Sequence, residues 1–131
     1  MNLFAKEIVV ITLGGALGSV GRFLLSRWIQ GVFPYQDLPW GIIVCNVLGC
    51  LLIGVLYGVF AHTTFGGPLW RAGLIIGILG GFTTFSSFSV ETFNFILKGQ
   101  HYLALMNISI SLFFCLAATA VGFWMIRLFV A

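Results

Sequence analysis

The chain is predicted to be an all-α membrane protein of four transmembrane helices, the third of them broken at mid-membrane. Three observations lead there. Of its 131 residues 60% are hydrophobic and only 7% charged, apolar residues gather in four runs long enough to cross a bilayer, and the third run is interrupted by Gly80-Gly81-Phe82-Thr83-Thr84-Phe85-Ser86-Ser87-Phe88-Ser89. A mean hydropathy of +1.14 excludes an ordinary soluble domain.

A helix needs about 20 mostly apolar residues to cross the hydrocarbon, and the four runs cover about 8–29, 40–60, 69–97 and 102–130. The connections are short and carry turn residues: Pro34, Asp37 and Pro39 in the first, Gly66, Gly67 and Pro68 in the second, Gly99 in the third. A single four-helix domain over residues 1–131 is expected, with no linker. Strands of a transmembrane barrel would alternate polar and apolar residues; these runs are continuous and rich in Leu, Ile and Val.

In the first run Lys6 precedes apolar residues that reach small ones at Gly18 and Ser19, which resembles a secretion signal. The run continues through Phe23 to Ile29 and three more follow, so a retained helix is expected. Cys45, Cys50 and Cys115 fall inside runs and are odd in number, which argues against a disulfide framework. His62 and His101 stand alone in connections, without the neighbouring ligands a metal site needs.

A net charge of +3, spread over four membrane helices, forms no patch for nucleic acid. With four spans the termini share a side. That side carries Lys6, Arg71 and Arg127, and the other carries Arg22, Arg27 and Lys98. Orientation normally follows an excess of Lys and Arg in cytoplasmic loops; here the two sides balance, so insertion both ways round is expected. Oppositely inserted copies can pair about an in-plane two-fold axis. Gly14 and Gly18, Gly54 and Gly58, and Gly73, Gly77 and Gly81 are at spacings that allow close helix approach, either between copies or within one.

The third run combines hydroxyls with aromatic rings. Irregular backbone survives at membrane depth only where protein buries it or where it lines a polar cavity, so the break points to an ion or solute site. Carbonyls freed around Gly80 to Thr83 suit a hard cation, and with no carboxylate beside them a monovalent one. In a helix resuming near Phe85, Phe85 and Phe88 share a face beside Ser86 and Ser87. Ring edges and neutral donors suit a bare anion, although Phe at helical spacing is ordinarily packing. In the second run Asn46 brings an amide with two donors. In the fourth, Asn107, Ser111, Cys115 and Thr119 recur every four residues and form a polar stripe, unless each hydroxyl or thiol bonds back to its own helix.

The Gly80 to Ser89 motif with Glu91, together with Gly14-Gly15 to Gly18 and Arg22 in the first run and Val44-Cys45-Asn46 in the second, closely resembles the small fluoride channels of the Fluc or CrcB family. The resemblance covers the whole chain. It implies an antiparallel, dual-topology homodimer in the bacterial inner membrane, with two narrow pores that pass fluoride out passively and so confer fluoride resistance. It further implies that Phe85 and Phe88 contact fluoride by their ring edges, that Asn46 lines the pore, and that Ser86, Ser87, Ser111, Cys115 and Thr119 form a polar track. Arg22 resembles a basic residue near a pore vestibule. The carbonyls of Gly80 and Thr83 match positions that hold a central structural Na+, and the implied partners are a second copy, fluoride and the lipid bilayer.

Three positions depart from the family pattern. Ile42 stands where Thr is frequent, Cys115 where a hydroxyl is common, and Phe82 where Leu is frequent. No enzyme activity is expected. The alternative reading is a proton-coupled exporter of the small multidrug type, which requires a membrane-embedded carboxylate; the first run offers only Glu7 at its start, and Glu91 lies two turns beyond the break.

Overall fold

The computed structural model describes residues 2–33, 37–64 and 66–130. Helix α1 (Leu3–Val32) starts five residues before the apolar run because Asn2 caps it: the Asn2 side-chain oxygen accepts from the Ala5 N–H at 2.9 Å. The turn expected at Pro34 lies outside the described residues. Helix α2 (Trp40–His62) follows Pro39, whose carbonyl accepts from the Ile42 and Ile43 N–H groups at 3.0 Å. Among the described residues, four helical spans are long and apolar enough to cross a membrane: Leu3–Val32, Trp40–His62, Pro68–Leu97 and His101–Phe129.

The third span is the irregular one. It begins with Pro68 at the first helical position of α3 (Pro68–Arg71) and continues into a π-helical stretch, Ala72–Leu79, where the Gly80 N–H reaches back five residues to the Ile75 carbonyl. A short α4 (Gly80–Phe82) follows, and then the helix stops. Thr83 and Thr84 are both extended, at φ −84°, ψ 153° and φ −149°, ψ 114°. Helix α5 (Phe85–Leu97) restarts with Thr84 as its cap, the Thr84 hydroxyl accepting from the Ser87 N–H at 3.1 Å. It ends at Gly99, whose φ of +70° lets the Gln100 N–H reach the Phe95 carbonyl at 2.8 Å and the Gly99 N–H reach that of Ile96 at 3.0 Å. This pairing closes a helix through a left-handed glycine and leads directly into α6 (His101–Val130).

Glycines decide which helices touch. A Cβ on Gly14 would lie 2.6 Å from the Gly73 carbonyl oxygen, one on Gly81 would lie 2.6 Å from that of Gly15, and one on Gly18 would run into the Ile78 carbonyl. So α1 lies backbone to backbone against the first half of the third span. Gly54 meets the Thr119 backbone, Gly58 meets Phe123 and Ile126, and Gly122 meets Leu51 and Val55; numbers rise together along both helices, so α2 and α6 run parallel. The three glycine motifs are therefore spent on packing within one chain.

Outward faces are apolar: Leu13, Leu17 and Trp28 on α1 and Leu116, Leu128 and Phe129 on α6 are exposed, as lipid-facing helices require. The interior holds a cluster of Leu38, Ile43, Phe95 and Ala104, and it also holds polar side chains. Thr84, Thr92, Asn107 and Ser111 are all buried. Arg22 lies deeper in α1 than Arg27, half-buried against the break, with its Nε donating to the Gly81 carbonyl at 3.3 Å, so the expected three-to-three balance becomes three to two when only basic residues near the ends of the spans are counted.

Candidate functional site

The break needs partners for the backbone it frees, and α2 supplies them. The Asn46 side chain accepts from the Thr84 N–H at 2.8 Å and donates to the Thr84 carbonyl at 3.1 Å. One amide thus pairs with both polar groups of an extended residue, as a neighbouring strand would. The Gly81 carbonyl accepts from Arg22 Nε and, at 3.4 Å, from the Ser19 hydroxyl. The Leu79 carbonyl takes the Thr83 N–H and hydroxyl, each at 2.9 Å. Hydrogen bonds formed at the break by the described residues thus use the Leu79, Gly81 and Thr84 oxygens and not those of Gly80 or Thr83.

Beside the break is a groove of about 270 Å³. Its walls are Asn46 and Cys50 from α2, Thr83, Thr84, Phe85 and Phe88 from the broken span, and Ser111, Leu112 and Cys115 from α6. None of these side chains is charged. The Phe85 and Phe88 rings lie with centroids 5.4 Å apart, tilted by 47°, and Phe85 is 78% exposed, so its ring stands open at the groove mouth. Among the described residues the buried Ser111 hydroxyl has no hydrogen-bond partner, and the same holds for the side-chain oxygen of Asn107, one turn earlier and fully buried. An unpaired hydroxyl in apolar surroundings is costly, and Ser111 lines the groove.

Of the expected site residues, Asn46, Phe85, Phe88, Ser111 and Cys115 come together around this groove. Ser86 and Ser87 do not line it; their hydroxyls lie 3.1 Å from the Thr84 hydroxyl and join its capping network. Thr119 bonds back to the Cys115 carbonyl at 3.0 Å and across to that of Cys50 at 3.2 Å. The stripe on α6 is thus divided, with Thr119 back-bonded and Ser111 and Cys115 facing the groove. Arg22 does not line the groove; its Nε meets the Gly81 carbonyl.

Three participants escaped the sequence reading. Thr84 is both cap and clamp point, which a hydroxyl residue just before a restarting helix could have signalled. The Thr92 hydroxyl accepts from the Asn107 amide N–H at 2.8 Å and donates to the Phe88 carbonyl at 2.8 Å, which ties α6 to the aromatic segment. Cys50 stands one turn beyond Asn46 and shares its face.

Fold and site together define a multi-pass helical membrane protein whose polar groups converge on a broken span. Residues 9–123 match the family model described as CrcB-like protein, Camphor Resistance (CrcB). Among curated proteins, the chain is 41% identical to a fluoride-specific ion channel FluC of Leptospira interrogans over 96% of this chain and 98% of the relative. It is 42% identical to one of Pseudomonas putida over 92% and 96%, and 43% identical to one of Geobacter metallireducens over 88% and 92%. The chain belongs to the CrcB family, a family of ion channels rather than enzymes.

Proposed function

We propose that the protein is a passive, fluoride-selective channel of the bacterial inner membrane, working as an antiparallel, dual-topology homodimer with two pores. The observation that carries the reading is the Ser111 hydroxyl, buried and unpartnered in an uncharged groove beside the tilted Phe85 and Phe88 rings. Fluoride is small and tightly hydrated, so a pore must replace its water with donors while keeping net charge low enough for release. A hydroxyl proton, the second amide proton of Asn46 and electropositive ring edges are such donors.

The groove is open on the side where Phe85 stands exposed, and a second copy is the natural wall. Pairing about a two-fold axis would bring two helix breaks together. The Gly80 and Thr83 carbonyls of each would then surround a Na+ ion, for which neutral oxygen ligands suffice. These two oxygens fit the role because the chain's own hydrogen bonds at the break leave them aside. The ion would hold the two breaks together and take no part in conduction. Ser86, Ser87 and Thr119 act behind the path through the Thr84 cap and the α2 to α6 contact, and Arg22 holds the break from the α1 side.

Hydrogen fluoride enters cells neutral and ionises inside, so an anion path down the membrane potential relieves its accumulation without energy coupling. Purified protein in liposomes should release fluoride and not chloride, and Phe85→Ile should slow the release. Absence of fluoride efflux in the unaltered protein would remove the reading, and unchanged efflux in the variant would take Phe85 out of the path. Flux should also be flat across imposed proton gradients; dependence on them would favour an exporter using Glu91.

A further inference from the structure

Cys50 and Cys115 face each other across the groove. Both line it. The parallel register that sets Thr119 against Gly54 and Phe123 against Gly58 sets Cys115 beside Cys50. One hydroxyl fixes the pair from below, since Thr119 Oγ1 lies 3.2 Å from the Cys50 carbonyl and 3.0 Å from that of Cys115. Both cysteines are free and half-buried, so the groove gives access to their sulfurs.

We infer that this pair is a binding site for a soft, thiophilic divalent cation of the mercury(II) kind. Soft thiolate ligands select soft metals. Four-coordinate zinc needs more donors than two thiols, and among the described residues no group of three His, Cys, Asp or Glu side chains could hold a metal. A two-coordinate ion needs only the pair. The step balances as two thiols and one Hg2+ forming two S–Hg bonds with release of two protons. Its product is neutral, and neutrality matters at membrane depth, where a buried net charge is costly. Cys45 belongs to a different place: it is fully buried and its thiol donates to the Arg22 carbonyl at 3.8 Å.

Bound there, the ion would fill the groove beside Asn46 and Ser111 and close it to anions; this second part rests on the channel reading, whereas the binding does not. The test uses the full-length protein in detergent and in liposomes with HgCl2 as the probe. Intact mass should show one Hg2+ per chain at the loss of two protons. Stripping it should need about tenfold more glutathione than in Cys50→Ser or Cys115→Ser, because the second thiol acts at high effective concentration. Cys45→Ser should retain mercury as the unaltered protein does. Equal retention in all four proteins, or loss in Cys45→Ser, would overturn the site.

Should either serine variant fail to fold, alkylation mapping of the unaltered protein decides. One equivalent of Hg2+ should protect Cys50 and Cys115 together, and protection of one alone would refute the pair. The fluoride arm is read as flux with mercury relative to flux without it. Retained mercury with unblocked flux overturns the closure. Retained mercury in a protein without any fluoride flux leaves the site standing and removes the channel reading.

Discussion

Asn46 and Thr84 are joined by two hydrogen bonds, N–H to Oδ1 at 2.8 Å and Nδ2 to carbonyl at 3.1 Å, so a single α2 side chain satisfies the extended residue at which the third span restarts. Removing it strands both groups. Each unsatisfied buried group costs about 1–3 kcal/mol, although measured polar contacts between membrane helices average nearer 0.6 kcal/mol because stranded groups find other partners. Asn46→Ala should therefore lower stability by about 1–3 kcal/mol, read as the shift in thermal unfolding of the solubilised protein, and should depress fluoride flux. A variant with wild-type stability and flux would show that the clamp is dispensable.

Asn107, Thr92 and Phe88 form a relay in which order matters. The amide donates to the Thr92 hydroxyl, and that hydroxyl donates to the Phe88 carbonyl. Thr92→Val leaves the fully buried Asn107 amide without the hydroxyl it donates to, whereas adding Asn107→Leu removes the need for one. Replacing both members by apolar groups can be nearly neutral where removing one is not. The double variant should thus be more stable than Thr92→Val alone, with a coupling of about 0.6–1.7 kcal/mol in a double-mutant cycle of unfolding. Strict additivity would show that the two residues act independently.

Four spans were legible because hydropathy over about 20 residues is an additive property of composition, and the break was legible because glycines and hydroxyls interrupt that composition. Helix ends were less so. The capping that carries α1 back to Leu3 depends on one side chain, Asn2, and the π-helical turns of Ala72–Leu79 have no periodicity that distinguishes them from α. At the site, Asn46, Ser111 and Cys115 could be named from residue type and helical spacing, whereas Phe85 and Phe88 stood out only through the family resemblance, since Phe at that spacing is ordinarily packing. The division of labour could not. Whether a hydroxyl faces a groove, like Ser111, or bonds backwards, like Thr119, is decided by the neighbouring helix. Charge counting assigned Arg22 only to one side of the membrane, and its position against the Gly81 carbonyl follows from how closely Gly14 and Gly18 let α1 approach.

Gly18 and Gly15 lie on the same helix and should respond differently to alanine. A Cβ on Gly18 meets the Ile78 carbonyl and, at 2.9 Å, the Phe82 N, all of it backbone that cannot rotate away; on Gly15 the nearest atom is 4.0 Å distant. Overpacking of this kind typically costs about 1–3 kcal/mol, and here it would push α1 away from the break and draw Arg22 off Gly81. Gly18→Ala should be markedly less stable in detergent and Gly15→Ala close to the unaltered protein. Equal tolerance at both positions would contradict the close packing of α1 against the third span.

Dual insertion depends on a narrow charge margin, because Arg22 is held at the break deep in α1 and leaves Lys6, Arg71 and Arg127 near the span ends facing Arg27 and Lys98. A margin of one basic residue is a weak bias when orientation depends on the excess of Lys and Arg near the ends of spans. A single cysteine at Gln100, in the exposed turn before α6, placed in a background lacking Cys45, Cys50 and Cys115, should label with membrane-impermeant maleimide from both faces of intact and inverted vesicles. The two fractions should be of similar size. Adding one Lys beside Lys98 should bring the sides level and moves the labelled fraction in a defined direction, while a second Lys beside Lys6 moves it the other way. Labelling from one face alone, unmoved by either lysine, would establish a single orientation and with it remove the antiparallel dimer.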